Sequence, residues 1–551
     1  MPEPSFTGNL VDHLRKSAEK IPSLTAVISA NDEFDKKDFQ TLYFDVKKVA
    51  SFFNNKGVKK SDRSLLLVKP GYDLIVCCFA LLFIGAIPII IDPGMGLRVM
   101  MKCIAQAKPK SLIGISPAIM CSYFFRKTFE SLSTRVTVFK NFPQSSKLQS
   151  TSVDSTFDFS STREDDLAAV VFTSGSTGRP KGVRYLHKNF NSQIKTLKTE
   201  FCLKEGEIDL VTLPIFSLFN PALGVTSVIP AMDPRKPALA DPGALVKTII
   251  NHNVTTAFCS PVIGTKISEY CEKHHVALPK VNRLMLAGAP SPPNLIKNLS
   301  KVVENGKIII PYGATEALPV SCTDHKEVSR LSESIISGGG SCLGRPIPNT
   351  SVLLMPIRNS PLPHEYEENI LPIENALETG EICVSGDIVT DGYDQMPGAT
   401  RDARFIYNSM EYHRMGDLAY WDEEHILRFL GRKAERVQTK FGTLETERCE
   451  PIINNIPGVQ RSALIGIGKS PIKEPCLVVE IEDNCKMSFN SIAKKAIELM
   501  ADKYPVFKIV RVFGEKSLPV DARHNAKIHR LALAAKWTLA VNKNCKLGLN
   551  Q

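Results

Sequence analysis

Thr173-Ser174-Gly175-Ser176-Thr177-Gly178-Arg179-Pro180-Lys181-Gly182 is the stretch whose reading decides the fold. It follows an apolar run at 167–172 of the kind that forms a buried strand, and it precedes helical spacing at 189–203. Glycines at 175, 178 and 182 let the backbone take positive φ and approach a ligand closely. Hydroxyls at 173, 174, 176 and 177, with backbone N–H groups, can ring an anion, and Lys181 adds a mobile positive charge. Such a loop handles phosphate. It is not of the GxxxxGK[ST] kind, because no Gly-Lys-Ser/Thr closes it.

Outward from the loop, helix-spaced and strand-like runs alternate. Upstream, 10–18 and 42–56 have helical spacing, while 26–29 and 64–68 read as strands. The run 74–91 is uncharged for eighteen residues, long enough to cross a bilayer. Gly85 and Pro88 interrupt it and 87–91 is mostly β-branched, so a buried helix followed by a strand is expected instead. The Ser/Thr-rich segment 144–161 reads as a surface connection into the loop. Downstream, strand-like runs at 210–213, 255–259, 283–287 and 307–311 alternate with helical stretches at 244–250 and 293–304. This order predicts mainly parallel sheets flanked by helices.

From 343 onward the segments are short and β-rich, at 351–355, 380–384 and 426–429, as in an antiparallel or barrel-like subdomain. Beyond Arg432 an α+β pattern follows, with strands expected at 462–467, 477–481 and 506–513 and helices at 489–504 and 527–537. The expected class is therefore α/β. A large N-terminal body at 1–432 would carry a small mobile C-terminal α+β domain at 433–551, hinged near 432–435.

At 551 residues the chain is too long for a single core. Its 43% hydrophobic and 23% charged content is that of a soluble globular protein. The net charge of +11 is spread along the chain. Pairs such as Lys59-Lys60 therefore read as solvated faces rather than a nucleic-acid stripe, while anionic ligands and acidic membrane surfaces are favoured. Fourteen cysteines without CxxC pairs read as reduced core residues of a cytoplasmic protein. Met1-Pro2-Glu3-Pro4 lacks the apolar core of a signal peptide.

Four more stretches carry chemistry. In Pro311-Tyr312-Gly313-Ala314-Thr315-Glu316, which follows a strand, Tyr312 can stack on a purine, Thr315 can bond a phosphate oxygen, and Glu316 is a hard oxygen ligand for Mg²⁺. In 412–418, Asp417 follows a tight glycine turn and can accept two ribose hydroxyls, and Arg432 can reach the same ribose or the phosphate. Gly288, Ala289 and Pro290 form a strand-to-turn element suited to an adenine pocket. Lys527 lies on a C-terminal loop from which it can bridge a carboxylate and a phosphate. Singly, each reads as a turn residue or a surface charge. Beside the 173–182 loop they read as one site.

Together these motifs resemble, in order and rough separation, those of the adenylate-forming superfamily, which includes acyl-CoA synthetases, luciferases and peptide-synthetase adenylation domains. The resemblance spans nearly the whole chain. It implies ATP and Mg²⁺ as cofactors, and attack of a carboxylate on the α-phosphorus to give acyl-AMP and pyrophosphate. Lys181, Thr315, Glu316 and Lys527 would carry catalysis, and residues 173–178, Gly288 to Pro290, Tyr312, Gly313, Asp417 and Arg432 would hold the nucleotide. Acyl-CoA synthetases usually have histidine after Leu-Pro-x-Phe, whereas Leu213-Pro214-Ile215-Phe216 is followed here by Ser217. Phe216, Ser217 and Phe219 are expected to wall the acyl pocket.

Phe219-Asn220-Pro221-Ala222-Leu223-Gly224, Asp92-Pro93-Gly94-Met95-Gly96 and the segment 520–527 resemble bacterial β-lactone synthetases of olefin biosynthesis. That subfamily implies a long-chain β-hydroxy acid whose own hydroxyl displaces AMP. It also implies thiolase-like and β-keto acid reductase partners, and contact with a membrane surface. His187 and His524 are candidate bases. A fatty acyl-CoA or acyl-AMP ligase and a non-catalytic nucleotide-binding homologue are the competing readings.

Overall fold

The computed structural model describes residues 8–30, 35–149, 158–173, 180–362, 371–521 and 527–546. Around the phosphate-loop stretch lies a six-stranded sheet in the order Thr134–Thr137, Ser111–Gly114, Arg63–Leu67, Ile87–Ile91, Leu167–Thr173 and Lys181–Leu186. All neighbours are parallel except the last pair, an antiparallel hairpin. Parallel neighbours need crossover connections, and the helices Tyr72–Ile84, Leu97–Ala107 and Ser116–Phe124 supply them. The uncharged run folds as its breakers predict. Residues 75–84 are buried in the first of these helices, Gly85 ends it at φ 77°, and Ile87–Ile91 is a strand. Among the described residues no helix is long and apolar enough to cross a membrane.

The second sheet has fourteen strands. Its path starts at the edge strand Lys36–Asp38 and passes through Thr25–Ser29, Thr226–Ile229, Ile208–Val211, Thr256–Cys259, Arg283–Leu286 and Lys307–Ala314. It continues through Ala317–Asp324, Ser341–Pro346, Leu427–Arg432, Met410–Trp421, Gly380–Ser385 and Ser351–Met355, with Arg404–Tyr407 paired off the path. Pairing is parallel from Thr25–Ser29 to Lys307–Ala314 and antiparallel beyond. The β-rich region is thus an arm of this sheet and not a barrel of its own. The largest core lies with the helices that join the two sheets, where Phe39, Phe53, Phe79, Phe83 and Phe142 are wholly buried. At roughly 1.5–3 kcal/mol each, these five rings alone contribute about 10 kcal/mol before conformational entropy is subtracted.

Two local expectations change. Residues 311–314 lie inside the strand Lys307–Ala314, not after it. Proline is tolerated there because pairing with Arg283–Leu286 stops at Ile309, so position 311 has no partner on that side to donate to. Asp417 sits in mid-strand. Gly416, at φ 67°, lies where the register against Gly380–Ser385 shifts, making an irregularity in Met410–Trp421 where the sequence suggested a turn.

Beyond Arg432 a 3₁₀ turn, Lys433–Glu435, leads to a three-stranded sheet of Val459–Ile467, Glu474–Ile481 and Arg511–Glu515. Thr446–Asn454 and Phe489–Lys503 pack with it around Leu464, Leu477, Val479 and Ile492. The last strand and the final helix, Arg530–Lys546, begin a few residues later than the sequence suggested. Arg530 is held between Glu435 at 2.9 Å and Glu450 at 2.5 Å, tying that helix to the 3₁₀ turn. Among the described residues the cysteines are free and nine are buried.

Candidate active site

The hairpin that carries the loop pairs from Leu167 with Leu186 up to Thr173 with Lys181, so one rung closes the base of the connection. Ser174, Gly175, Ser176, Thr177 and Gly178 lie outside the described residues, and only the backbone of Thr173 is described. At the rung, the Lys181 ammonium stands 4.2 Å from the centre of the Tyr393 ring. The Tyr393 hydroxyl in turn donates to Glu316 Oε1 at 2.9 Å. Tyr393 is held in place by a bridge to Val183 and by donation from the Asp394 N–H to the Gly182 carbonyl at 2.7 Å. Lys181 and Glu316 therefore share one aromatic ring, and a cation over such a face gains about 1 kcal/mol.

Thr315 and Glu316 form the turn between Lys307–Ala314 and Ala317–Asp324. The turn is clamped from outside: Tyr185 donates its hydroxyl to the Thr315 carbonyl at 2.6 Å, and the Thr390 N–H donates to the Glu316 carbonyl at 2.9 Å. Gly313 is required by space, since a Cβ there would lie 2.6 Å from the Ala317 carbonyl oxygen. The alternation of the strand puts Pro311 and Gly313 on the cavity wall, whereas Tyr312 turns its hydroxyl to Asp417 Oδ2 at 2.6 Å.

Asp417 and Arg432, fifteen residues apart in the chain, are directly opposed on neighbouring strands with 3.0 Å between Oδ1 and the guanidinium. Asp417 is 2% exposed. Burial pushes its carboxyl up, opposed by the charge of Arg432 and by the Tyr312 hydroxyl. Asp417 raises the Arg432 guanidinium. The Lys527 ammonium belongs to the same cluster: burial lowers it, and the Arg432 charge lowers it further. Its backbone N–H donates to Asp521 Oδ1 at 2.9 Å and its carbonyl accepts from the Asp521 N–H at 3.0 Å. Residues 522–526, with His524, lie outside the described residues.

One cavity of about 820 Å³ gathers these groups. Lys181, Thr315, Glu316, Arg432 and Lys527 line it with Gly288 and Gly313, and Phe216 and Phe219 supply apolar wall. Asp417 and Tyr312 stand behind the wall, and Ala289 and Pro290 are not among the lining residues. Ser217 departs from expectation. In the 3₁₀ turn Pro214–Leu218 its hydroxyl donates to the Pro214 carbonyl at 2.6 Å, and it faces a separate cavity of about 550 Å³. The tight turn sends side chains 216 and 217 to different sides. His187 is buried off the main cavity, and burial lowers it to about 4.

The sequence reading missed Tyr393, Tyr185, Gln193 and His529, all on the wall. It also missed Glu381, which is 1% exposed between Arg414 at 2.6 Å and Lys433 at 2.7 Å. Only the glycine before Tyr393 gave a local signal. Gln193 points a buried, unpartnered Oε1 at this region while its amide donates to the Leu318 carbonyl.

The residues fit a nucleotide. Arg432 lines the cavity with its guanidinium held by Asp417 from behind the wall, and Asp417 Oδ1 has no aligned hydrogen bond of its own. Three cations (Lys181, Arg432, Lys527) suit a polyphosphate facing an acid's carboxylate. Among the described residues no cluster of three His, Cys, Asp or Glu side chains could cage a metal by itself. The donor set fits a Mg²⁺ that keeps phosphate and water ligands and takes one carboxylate, Glu316.

Comparison with known proteins agrees with this geometry. A family profile described as AMP-binding enzyme matches residues 14–394. The olefin beta-lactone synthetase of Xanthomonas campestris pv. campestris is 35% identical over 489 residues, covering 87% of this chain and 86% of that protein. That of Stenotrophomonas maltophilia is 36% identical over 495 residues, 88% of each. Among solved structures, ATP-bound MatB from Rhodopseudomonas palustris superposes with a TM-score of 0.80 over 97% of this chain and 99% of that one, at 18% identity, a likeness of fold.

Proposed function

We propose, from the premise that the chain belongs to the AMP-binding enzyme family and is an AMP-forming ligase or synthetase, that it converts a long-chain β-hydroxy acid and ATP into a β-lactone, AMP and pyrophosphate. The observation that carries this reading is identity of about 35% to two β-lactone synthetases along nearly the whole chain. The cavity chemistry supports it.

In the first step the substrate's carboxylate oxygen attacks the α-phosphorus and pyrophosphate leaves. Two anions must meet, so the barrier is largely electrostatic. Lys181 and residues 173–178 take the departing phosphates, Lys527 bridges carboxylate and α-phosphate, and Arg432, held by Asp417 behind it, meets the ribose. Glu316 would hold a Mg²⁺ that arrives with the phosphates, and that ion would supply charge neutralisation. Gly288 and Gly313 border the base, Tyr312 steadies Asp417 from behind the wall, and Phe216 and Phe219 hold the acyl chain by apolar contact.

In the second step the β-hydroxyl oxygen bonds to the acyl carbon, the carbon–oxygen bond to AMP breaks, and the hydroxyl proton passes to a base. His529 is the only histidine among the described lining residues and takes that role. Ring closure within one bound molecule needs no second substrate, which is worth an effective molarity of about 10⁵ M or more. The small C-terminal portion, 433–551, closes on this site about the 433–435 turn. Reduction of a β-keto acid, itself made by thiolase-like condensation, is the chemistry that would supply the substrate.

The test is product analysis after incubation with ATP, Mg²⁺ and 3-hydroxy acids of graded length, without CoA. β-Lactone with stoichiometric AMP is expected. Acyl-CoA formed only on adding CoA would replace this reading with a fatty acyl-CoA ligase, and absence of any ATP-dependent product would favour a non-catalytic homologue.

A further inference from the structure

The helix Ser116–Phe124 is apolar on both faces, with Ile119 packed inward against the core of the six-stranded sheet and large apolar side chains turned outward. It packs on Thr134–Thr137, the edge strand of the six-stranded sheet, with Ser122 buried and its hydroxyl accepting from Arg135 Nε at 2.9 Å. The outward face, where a surface helix normally carries polar groups, presents Met120, Tyr123 and Phe124 at i, i+3 and i+4. They are 59%, 57% and 79% exposed, and Phe125 beside them is 45% exposed. Phe139, past the end of the edge strand, is another exposed ring. Contiguous apolar surface of this kind marks an interaction site.

The surrounding charge is one-sided. Between 111 and 140 the chain has Arg126, Lys127, Arg135 and Lys140 against a single acid, Glu130, and Arg126, Lys127 and Lys140 are exposed. Arg135 lies 4.7 Å from the centre of the Tyr123 ring, which holds that ring in its outward position. A second copy of this chain docking face to face would set these cations against their own equivalents. An anionic lipid surface meets both features: aromatic rings enter the headgroup boundary while lysines and arginines meet the phosphates.

We propose that the exposed face of Ser116–Phe124, with Phe125, Arg126, Lys127, Phe139 and Lys140, docks the protein on anionic bilayers. The proposal does not depend on the catalytic reading, because no residue of the patch lines the 820 Å³ cavity. Phe139 and Lys140 do line the 550 Å³ cavity that Ser217 faces, so the patch and that cavity share a wall.

The test is co-sedimentation of the full chain with vesicles of phosphatidylcholine alone or mixed with phosphatidylglycerol, at low and high salt. Binding to the anionic vesicles, weakened by salt and absent with phosphatidylcholine alone, is expected. Arg126→Glu/Lys127→Glu should lower partitioning by about fivefold or more per residue, and Phe124→Ser/Phe125→Ser should also release the protein, with unchanged circular dichroism. Failure of the wild-type chain to bind anionic vesicles overturns the proposal, as does binding that both variants leave intact. So does an oligomer seen in analytical ultracentrifugation that the Phe variant converts to monomer without any vesicle binding.

Discussion

Asp209 should make the large body lose stability as pH rises, and Asp209→Asn should abolish that loss. The carboxylate lies fully buried at 4% exposure on the strand Ile208–Val211. Its Oδ2 accepts from Asn220 at 2.9 Å, Oδ1 has no partner, and Arg283, the nearby cation, is engaged by Glu207 at 2.8 Å. Burial pushes the carboxyl from 3.8 to about 7. A folded value raised above the unfolded one contributes stability in full below the unfolded value and loses it as pH climbs through the folded one, so the window is pH 4 to 7. A shift of roughly three units corresponds to about 4 kcal/mol in all, of which about 2.5 kcal/mol falls between pH 5 and pH 8. Asparagine has the same shape, keeps an acceptor for Asn220 and never ionises. Urea unfolding followed by Trp421 fluorescence should therefore show the variant gaining about 2.5 kcal/mol on the wild type from pH 5 to pH 8. A difference that stays flat over that range would mean that Asp209 is ionised in the fold, and the burial argument would fail. Asn220 opens the short helix next to Phe216 and Phe219, so the same titration bears on the acyl wall.

Lys181→Ala and Lys527→Ala should each lower ATP–pyrophosphate exchange about 10²-fold or more with little change in melting temperature, because both act on charge that develops during reaction. Tyr312→Phe removes the hydroxyl from Asp417; loss of a hydrogen bond to a charged group costs about 1.5 kcal/mol, so the KM for ATP should rise about tenfold with a smaller effect on kcat. His529→Ala should keep pyrophosphate release and slow lactone formation about 10²-fold, and equal loss in both steps would remove it as the base. Glu381→Ala strands two cations in a buried pocket and should cost about 3 kcal/mol in chemical denaturation.

What the sequence made legible was local. The breakers at Gly85 and Pro88 and the 3.6-residue spacing of the helices each act through contiguous residues, and the chain folds there as expected, while of the 173–182 string the described residues give only the hairpin at its two ends. What it hid depends on partners far along the chain. Asp417 faces Arg432 through the pairing of two strands whose register shifts just beyond, between Leu418 and Ala419, and no spacing rule encodes that pairing. Tyr393 reaches Lys181 and Glu316 through a bridge to Val183 some two hundred residues earlier. Ser217 turned away because a 3₁₀ turn advances three residues per turn instead of alternating. The helix Ser116–Phe124 escaped notice because apolar residues lie on both its faces, leaving no one-sided stripe by which helices are recognised.

The pairing of Val27 with Ser227 sets a timetable for synthesis. The strand Thr25–Ser29 is the first of the large sheet to leave the ribosome, yet its parallel neighbour follows two hundred residues later. At about 5–20 residues per second that is a delay of roughly 10–40 seconds. Until then the nascent chain carries an apolar strand paired on one edge alone, to the short Lys36–Asp38, and can complete only the smaller sheet, whose strands all precede residue 187. Chaperone demand should therefore be highest while residues 187–226 are being made, and fragments ending in that interval should aggregate where slightly longer ones do not.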